Sequence, residues 1–335
     1  MRSGRGTTRA TEIPATGGTG KRLAAAIALC VAPAGARAQA ASIFVSNERG
    51  NDLHVLSAGT NAVVATIAVG KRPRGMAVSP DRKMVYVALG DDDAVAQVEV
   101  ATRMLRRTIP VGRDPEQVAV SPDGKILYVS NEATSSATAV DLATGRSLFV
   151  GAVGTEPEGV GVTPDGRKLY VTGESTDDVT VLDARSGEIL RTLKVGARPR
   201  WVAFSPDGLR AYITGEVGGD VSVLDVTTDK LTARISIANG QTKPDGVVVS
   251  PDGKRVYVAE GRGASVTVID SGSNRVVGRI SVGTRPWGIA ISPDGKRLYT
   301  ANGVSNDVSV VDCEANKAIA RVPVGEKPYG VLYVP

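Results

Sequence analysis

Seven side chains that could bind a polar molecule recur at one position of this sequence, directly after the proline of a Val-Gly-x-x-Pro motif. They are Arg74, Glu116, Glu158, Arg200, Asp245, Trp287 and Tyr329. Arginine can pair with a carboxylate, and an aromatic ring can stack on a planar ligand. Trp201, one position further on, adds a third ring. These eight residues form the predicted ligand-binding set, and none of them is assigned a catalytic or metal-binding role.

The carboxylates in this set also support a hypothesis of a different class. Glu116, Glu158 and Asp245 could hold a hard divalent cation through oxygen, and such a cation could activate water to open a lactone. Arg74 and Arg200 count against this alternative because their positive charge weakens the attraction for a cation. Whether the chain is an enzyme stays open at this point, and binding without catalysis is favoured.

The inventory of reactive residues excludes several other chemistries. The chain has one histidine, His54, so a copper or zinc site built from several histidines is excluded. Its two cysteines, Cys30 and Cys313, form no Cys-x-x-Cys-His motif for covalent haem. There is no Gly-x-Ser-x-Gly motif for a serine hydrolase. The sequence therefore predicts no cofactor held by this chain's own reactive side chains.

The predicted ligand-binding residues recur because the chain is a repeat. An aromatic residue of a Leu-Tyr-Val motif returns every 42 residues, with a single interval of 45, and marks seven units. The seven markers are Phe44, Tyr86, Tyr128, Tyr170, Tyr212, Tyr257 and Tyr299. The three extra residues lie near 238–243. A Ser-Pro-Asp-Gly turn precedes most of the markers, with Arg82 in place of its glycine in the first unit.

The residue pattern of each unit is typical of four short β-strands. Val, Ile and Leu dominate them, and alternation is clearest in segments such as Val308-Ser-Val310. Seven such units of about 42 residues predict an all-β, seven-bladed β-propeller of four-stranded antiparallel blades. Gly330–Val334 aligns with the strand before the turn and Ile43–Ser46 with the strand after it. The two ends should therefore complete one blade and close the ring, which removes an exposed sheet edge.

The loop between the second and third strands of each blade should lie on the same face as the predicted binding set. This loop adds mainly acidic residues to that face: Glu48, Arg49, Glu132, Glu174, Glu216, Glu260 and Asn302. We expect the mouth of the central channel to be ringed by carboxylates, two arginines and aromatic rings. A polar small molecule, a metal ion or a projecting group of a partner protein could bind there, or the ring could be a solvated rim of ion pairs that contributes little to stability.

Residues 1–38 have the features of a secretory signal peptide. A basic start leads into the apolar stretch Leu23–Val31, and Ala36-Arg-Ala38 is a small-x-small cleavage site. The whole formal charge of +5 lies in this segment, so residues 39–335, the predicted propeller domain, are near neutral. We expect an exported, periplasmic monomer with no membrane span after cleavage. Nucleic acid is excluded as a partner because the domain has no excess of basic residues.

Three motifs carry a resemblance to a known family. Val-Gly-x-x-Pro, Ser-Pro-Asp-Gly and Leu-Tyr-Val-(Ser/Thr)-Asn, as at Leu127–Asn131, resemble the YVTN-type β-propeller repeat family over residues 42–335. Within it, the seven-unit exported layout looks like the propeller proteins associated with PQQ-dependent alcohol catabolism. The resemblance implies an accessory protein that binds PQQ itself or acts through a partner, a periplasmic quinoprotein dehydrogenase or a cytochrome c. It carries over no catalytic residues.

Overall fold

The computed structural model describes residues 41–237 and 242–335. The predicted signal peptide, residues 1–38, lies outside the described residues, as does most of the segment 238–243 that contains the three-residue insertion. Over the described ranges the chain forms 28 strands in seven four-stranded antiparallel sheets, together with two short 3-10 helices at Gly90–Asp92 and Glu132–Thr134. The predicted seven-bladed propeller is confirmed.

Each blade has the same strand order, which runs from the inner strand to the outer one. Blade 1 contains β28 (Pro328–Val334), β1 (Ser42–Asn47), β2 (Asp52–Ser57) and β3 (Val63–Ala68). Blade 2 contains β4 (Pro73–Val78), β5 (Met84–Leu89), β6 (Ala94–Glu99) and β7 (Met104–Pro110). Blade 3 contains β8 (Pro115–Val120), β9 (Ile126–Asn131), β10 (Ser136–Asp141) and β11 (Ser147–Ala152). Blade 4 contains β12 (Pro157–Val162), β13 (Lys168–Gly173), β14 (Asp178–Asp183) and β15 (Ile189–Lys194). Blade 5 contains β16 (Pro199–Phe204), β17 (Arg210–Gly215), β18 (Asp220–Asp225) and β19 (Lys230–Ser236). Blade 6 contains β20 (Pro244–Val249), β21 (Arg255–Glu260), β22 (Ser265–Asp270) and β23 (Arg275–Ser281). Blade 7 contains β24 (Pro286–Ile291), β25 (Arg297–Asn302), β26 (Asp307–Asp312) and β27 (Lys317–Pro323).

The two ends of the described chain share blade 1, as the split repeat predicts. Strand β28 pairs antiparallel with β1, with Ser42 opposite Val334 and Val45 opposite Val331. The C-terminal strand thus serves as the inner strand of a blade whose other three strands come from the N-terminal side. This pairing closes the ring.

The Ser-Pro-Asp-Gly turns are closed by their own side chains. In blade 3 the Ser121 hydroxyl donates to Asp123 Oδ1 at 2.6 Å and accepts the Ile126 N–H at 2.9 Å. Gly124 has a φ of 73°, a left-handed conformation that glycine adopts without steric cost. Arg82 takes the same conformation, with a φ of 62°, where the first turn lacks glycine.

The hydrophobic core lies between neighbouring blades. Tyr86 of blade 2, for example, packs in one cluster with Val118 and Leu127 of blade 3. The marker tyrosine of blade 3, Tyr128, also donates from its hydroxyl to the carbonyl of Ala184 in blade 4 at 2.8 Å. No helix in the part of the chain that the structure describes has the length and apolar character needed to cross a membrane. Contacts between neighbouring blades thus stabilise the ring, and the inner strands converge on the central channel.

Candidate functional site

The inner strand of every blade begins at the motif proline, so the residue after each proline stands at the mouth of the channel. Of these residues, Arg74 occupies one side. Its guanidinium pairs with Glu116 and lies 3.5 Å from Glu48 and 3.8 Å from Glu158. Arg74 is 6 % exposed and Glu116 is 1 % exposed. The structure therefore joins three predicted site residues, from blades 2, 3 and 4, in one buried ionic group.

Arg200 holds a second buried ionic group on the other side of the mouth. Its Nη1 lies 2.8 Å from Glu158 Oε1 and also pairs with Glu174. Its Nε lies 3.9 Å from Asp245 Oδ1. Because Glu158 contacts both arginines, the two groups form one network, which we call the mouth network.

Aromatic side chains fill the remaining part of the mouth. The Tyr329 ring is 3 % exposed, and the Arg74 guanidinium lies 4.0 Å from the centre of that ring. Trp287 meets Tyr329 edge to face at 4.9 Å between centroids, and Trp201 lies nearly parallel to Tyr329 at 6.3 Å. All eight predicted binding residues thus come together, and they close the mouth with their own side chains.

Four of the acidic loop residues face the mouth network, as expected, and two polar residues do not. Glu48, Glu132, Glu174 and Glu216 each have a mouth arginine or lysine within 4.0 Å. The expectation for Glu260 and Asn302 was wrong. They lie one position earlier in the repeat, at the end of the second strand, and successive strand residues point to opposite faces. Glu260 pairs with Thr267 and with Arg279 in its own blade, and Asn302 bonds Asp307 and Ser309.

Arg49 also departs from the predicted ring. Its side chain is 68 % exposed and its Nη1 lies 3.9 Å from Glu326, on the solvent side of the loops. A surface pair of this kind contributes little to stability. Arg49 therefore belongs to the outer rim and not to the mouth network.

Sequence reasoning missed the residues that precede the motif prolines. Arg72 lies 2.6 Å from Glu116 and Lys243 lies 3.1 Å from Glu216, while Arg198 lies 3.3 Å from Glu216 and also contacts Glu174. Each has a left-handed backbone, with φ between 53° and 56°, which turns the side chain towards the network. A signal was present, since this position is charged in all seven units: Arg72, Asp114, Glu156, Arg198, Lys243, Arg285 and Lys327.

Burial dominates the electrostatics of the mouth network. Desolvation raises the pKa of Asp245 to about 7, against the opposing effect of Arg200. Desolvation also raises the pKa of Glu116 well above its ordinary value, with Arg74 opposing and Glu158 adding to the increase. For Arg200, burial alone would lower the pKa, but Glu158 and Asp245 outweigh it and raise the pKa well above the ordinary value. The arginines stay charged, and the raised pKa of Asp245 leads us to expect that this carboxyl group titrates near neutral pH.

Replacing Asp245 by Asn should stabilise the protein above pH 7 and change little near pH 4. The folded pKa of Asp245, about 7, lies above its ordinary value of 3.8. The folded state therefore holds a proton that the unfolded state has lost between these values, and the associated stability disappears as pH rises through about 7. Thermal unfolding from pH 4 to pH 9 measures the difference.

Fluorescence gives a second readout of the Asp245 substitution. Trp201 and Trp287 are the chain's two tryptophans, so intrinsic emission reports on the mouth. We expect a wild-type transition near pH 7 that Asp245→Asn abolishes. Glu188→Gln, at an exposed carboxylate away from the mouth, between the third and fourth strands of blade 4, is the control. A transition that survives in Asp245→Asn would show that another group titrates.

The carboxylates with the closest ligand atoms include only one residue of the metal hypothesis, Glu116. Among the described residues, Asp114, Glu116 and Glu132 bring acidic oxygens within 4.8 Å of one another. The Arg72 guanidinium lies among them, paired with Asp114 and Glu116 and 3.9 Å from Glu132. Arg72 thus supplies the positive charge that a cation would bring. Arg74 and Arg200 similarly lie against Glu116, Glu158 and Asp245.

Solved structures with the same fold come from several organisms. Hydrazine synthase from Kuenenia stuttgartiensis aligns with a TM-score of 0.75 and 24 % identity over 81 % of this chain and 92 % of the other. A candidate 6-phosphogluconolactonase from Bacteroides fragilis aligns with a TM-score of 0.75 and 21 % identity over 88 % and 98 %. A functionally unknown protein from Desulfotomaculum acetoxidans aligns with a TM-score of 0.77 and 16 % identity over 87 % and 98 %. At these identities the likeness shows the fold alone.

Family models give the more specific result. No curated protein matches the chain in sequence. The family described as "YNCE-like beta-propeller" matches residues 14–131. The family described as "Lactonase, 7-bladed beta-propeller" matches residues 102–195 and 188–321, which together make up more than half of the chain. The chain belongs to the lactonase family of seven-bladed β-propellers.

Proposed function

We propose that this chain is a binding propeller that catalyses no reaction and docks a partner protein on its mouth face. The observation that carries this proposal is the internal pairing of the mouth network. Arg74 and Arg200 are buried and already contact Glu48, Glu116, Glu158 and Glu174. A paired and closed mouth leaves the surface around it, and not the channel, as the place for recognition.

The surface around the mouth offers apolar contacts at the tips of two loops. Val217 is 55 % exposed in the loop after β17, and Val304 is 62 % exposed in the loop after β25. The loop after β25 adjoins the half-buried Trp287 ring, whose Nε1 would lie 3.2 Å from a β-carbon added to Gly303. The backbone of Val217 donates to the carbonyl of Ala197, just before the proline of blade 5, and Trp201 follows that proline by two residues. Aromatic side chains are enriched at protein interfaces, where surrounding contacts exclude water from them. The proposed docking surface consists of Val217, Val304, Trp201 and Trp287.

The proposed partner is a periplasmic quinoprotein dehydrogenase or its cytochrome c, with export through the signal peptide predicted at residues 1–38. This assignment rests on the resemblance of the repeat motifs. PQQ itself is a poor fit for the mouth, because its carboxylates would need cations and both buried arginines are paired within the chain. Tyr329 and Trp287 also occupy the space where a planar ring would stack. We therefore assign the quinone cofactor to the partner, where it would supply the redox chemistry of alcohol oxidation.

Calorimetric titration of the propeller with the dehydrogenase, the cytochrome and free PQQ tests this proposal. We expect binding to one of the proteins, weakened at least about tenfold by Val217→Asp combined with Val304→Asp, since a tenfold loss corresponds to about 1.4 kcal/mol. Leu209→Asp is the matched control, because Leu209 is also 55 % exposed but follows a turn on the opposite face. No binding to either protein, or equal binding by all variants, would contradict the proposal.

A second candidate function is lactone hydrolysis. The family match to seven-bladed lactonases favours it, as does Asp245, whose pKa of about 7 suits a general base at neutral pH. Metal ions would need to replace the arginine contacts of Glu116, Glu158 and Asp245. The discriminating assay measures hydrolysis of lactones, including 6-phosphogluconolactone, with calcium, with magnesium and with chelator. Activity that Asp245→Asn abolishes would favour the lactonase over the docking protein.

A further inference from the structure

The Ser/Thr position of the Leu-Tyr-Val-(Ser/Thr) motif has no part in the proposed docking surface, yet its hydroxyl lies directly behind the mouth. It is the fifth residue of the second strand in each blade. Four blades carry a hydroxyl there, which we call the relay hydroxyls: Ser46, Ser130, Thr172 and Thr214. All four residues are 0 % exposed. Buried hydroxyls need hydrogen-bond partners, and these find theirs in two different blades.

Each relay hydroxyl bonds the inner strand of its own blade and that of the next blade. Ser46 accepts the N–H of Gly330 at 2.8 Å and donates to the carbonyl of Arg74 at 2.7 Å. Gly330 belongs to blade 1 and Arg74 to blade 2. The hydroxyl therefore fixes the backbone of a mouth residue relative to the preceding blade.

The same arrangement recurs in blade 5. Thr214 accepts the N–H of Trp201 at 3.1 Å and donates to the carbonyl of Asp245 at 2.6 Å. Blades 3 and 4 repeat it: Ser130 donates to the carbonyl of Glu158 at 2.5 Å and Thr172 to that of Arg200 at 3.2 Å. These four carbonyls belong to the mouth residues of blades 2, 4, 5 and 6.

Three blades lack the hydroxyl, and the distribution follows the chemistry of the mouth. Alanine stands at this position in blades 2, 6 and 7, as Ala88, Ala259 and Ala301. The corresponding mouth residues in the next blades are Glu116, Trp287 and Tyr329. Four of the five charged mouth residues thus accept a hydrogen bond from a relay hydroxyl at their backbone carbonyl. Neither of the two aromatic mouth residues has such a hydroxyl in the preceding blade.

The inner strands of blades 4 and 5 approach each other closely at this level. A β-carbon added to Gly159 would lie 2.4 Å from the carbonyl oxygen of Arg200, well inside contact distance. Glycine therefore leaves room for the Thr172 hydroxyl here, whereas Ser130 and Thr214 bond both strands with Gln117 and Trp201 at the equivalent position. Thr172 accepts from the Gly159 N–H at 2.7 Å in the same place.

We propose that the relay hydroxyls are positioning residues that set the distances within the mouth network. A buried ion pair stabilises a protein only when its geometry is good, because desolvation of both partners opposes it. A hydrogen bond that fixes the backbone carbonyl of a charged residue also fixes its α-carbon, from which the side chain extends. The proposal concerns the same mouth as the docking function but does not depend on what binds there.

Thr214→Val tests the proposal in the full mature chain without any ligand. The substitution keeps the shape of the side chain and removes both of its hydrogen bonds, the one it donates to the Asp245 carbonyl and the one it accepts from the Trp201 N–H. We expect a lower melting temperature. We also expect the pH midpoint of the tryptophan fluorescence transition to fall by about half a pH unit or more, because the Asp245 backbone is no longer fixed and its carboxylate becomes better solvated. Arg200, Glu158, Glu216 and Arg74 are the charged groups that act on Asp245 in both proteins. Thr214→Ser should restore the wild-type transition.

Thr180→Val is the matched control. Thr180 is 2 % exposed on the third strand of blade 4, away from the relay position. Its substitution can change the melting temperature but should leave the fluorescence transition in place. If Thr214→Val lowers the melting temperature yet keeps the wild-type transition, the hydroxyl is only structural and the proposal is wrong.

Ala301→Ser gives an independent test if Thr214→Val does not fold. A serine there would have the Gly288 N–H and the Tyr329 carbonyl as partners, by analogy with Ser46. We expect a higher melting temperature and weaker acrylamide quenching of tryptophan emission, because Tyr329 would be held more firmly. Unchanged quenching would contradict the proposal. Neither test requires a partner, so failure of the relay and failure of the docking function remain distinguishable.

Discussion

Deletion of residues 330–335 is expected to abolish cooperative folding of the propeller or to lower its melting temperature sharply. The deletion removes most of β28, whose pairing with β1 closes the ring. Val331 and Val334 are buried, and each buried aliphatic side chain contributes about 1.5–3 kcal/mol. Loss of the strand pairing and of these contacts would remove much of a free energy of unfolding of about 5–15 kcal/mol.

Circular dichroism and tryptophan fluorescence during thermal unfolding measure this effect. Both tryptophans lie at the mouth, next to Tyr329, so their fluorescence reports opening of the mouth, whereas circular dichroism reports loss of the sheets. We expect the fluorescence change to come before the change in circular dichroism or together with it. Removal of Pro335 alone, which lies beyond the last strand, is the control and should melt like the intact protein. If the longer deletion also melts like the intact protein, β28 does not close the ring in solution.

Replacing Arg200 by Met is expected to be the most destabilising single substitution at the mouth. Arg200 contacts Glu158 and Glu174 and lies 3.9 Å from Asp245, and all four side chains are buried. Removing one partner of a buried ion pair leaves uncompensated charge and typically costs about 3–5 kcal/mol. Chemical denaturation at pH 7 measures the loss.

The loss caused by Arg200→Met should shrink at acidic pH. Burial raises the pKa of Glu174, with Arg200 opposing the increase, so removal of Arg200 lets that pKa rise further. A group with a raised folded pKa contributes stability at low pH and loses it as pH rises. The variant should therefore recover part of its stability near pH 5. Arg191→Met, at an exposed position of β15, is the control. A loss that is equal at both pH values would mean that lost packing, and not charge, is responsible.

The architecture follows from the sequence because it depends on local, repeated signals. The Ser-Pro-Asp-Gly turns and alternating apolar residues specify strands at an interval of 42 residues, and the repeat divided between the two ends predicts closure. The position of the mouth ring also follows, since every inner strand begins at its proline. Repetition makes such predictions secure, because the same pattern is tested in each of seven units.

The pairing of the mouth residues follows from the tertiary structure alone. Glu158 of blade 4 contacts Arg200 of the next blade and Arg74 of blade 2, two repeats before it. Arg72 and Arg198 join the network because a left-handed residue before each proline turns the side chain inwards.

The register of the loop after the second strand could have been read from the sequence, because Glu174 and Glu216 lie four residues after their marker tyrosines and Glu260 lies three after Tyr257. Glu260 looks like Glu174 and Glu216 there, but it stands one position earlier and so faces its own blade.

The seven blades, the closing strand and the position of the eight mouth residues can therefore be inferred from the amino-acid sequence. That the charged residues among them neutralise one another and close the mouth becomes visible only in the folded chain. Turns and strands can be inferred because they are specified by neighbouring residues. The partner of a buried charge is instead selected by distance and desolvation among groups that folding brings together from different blades.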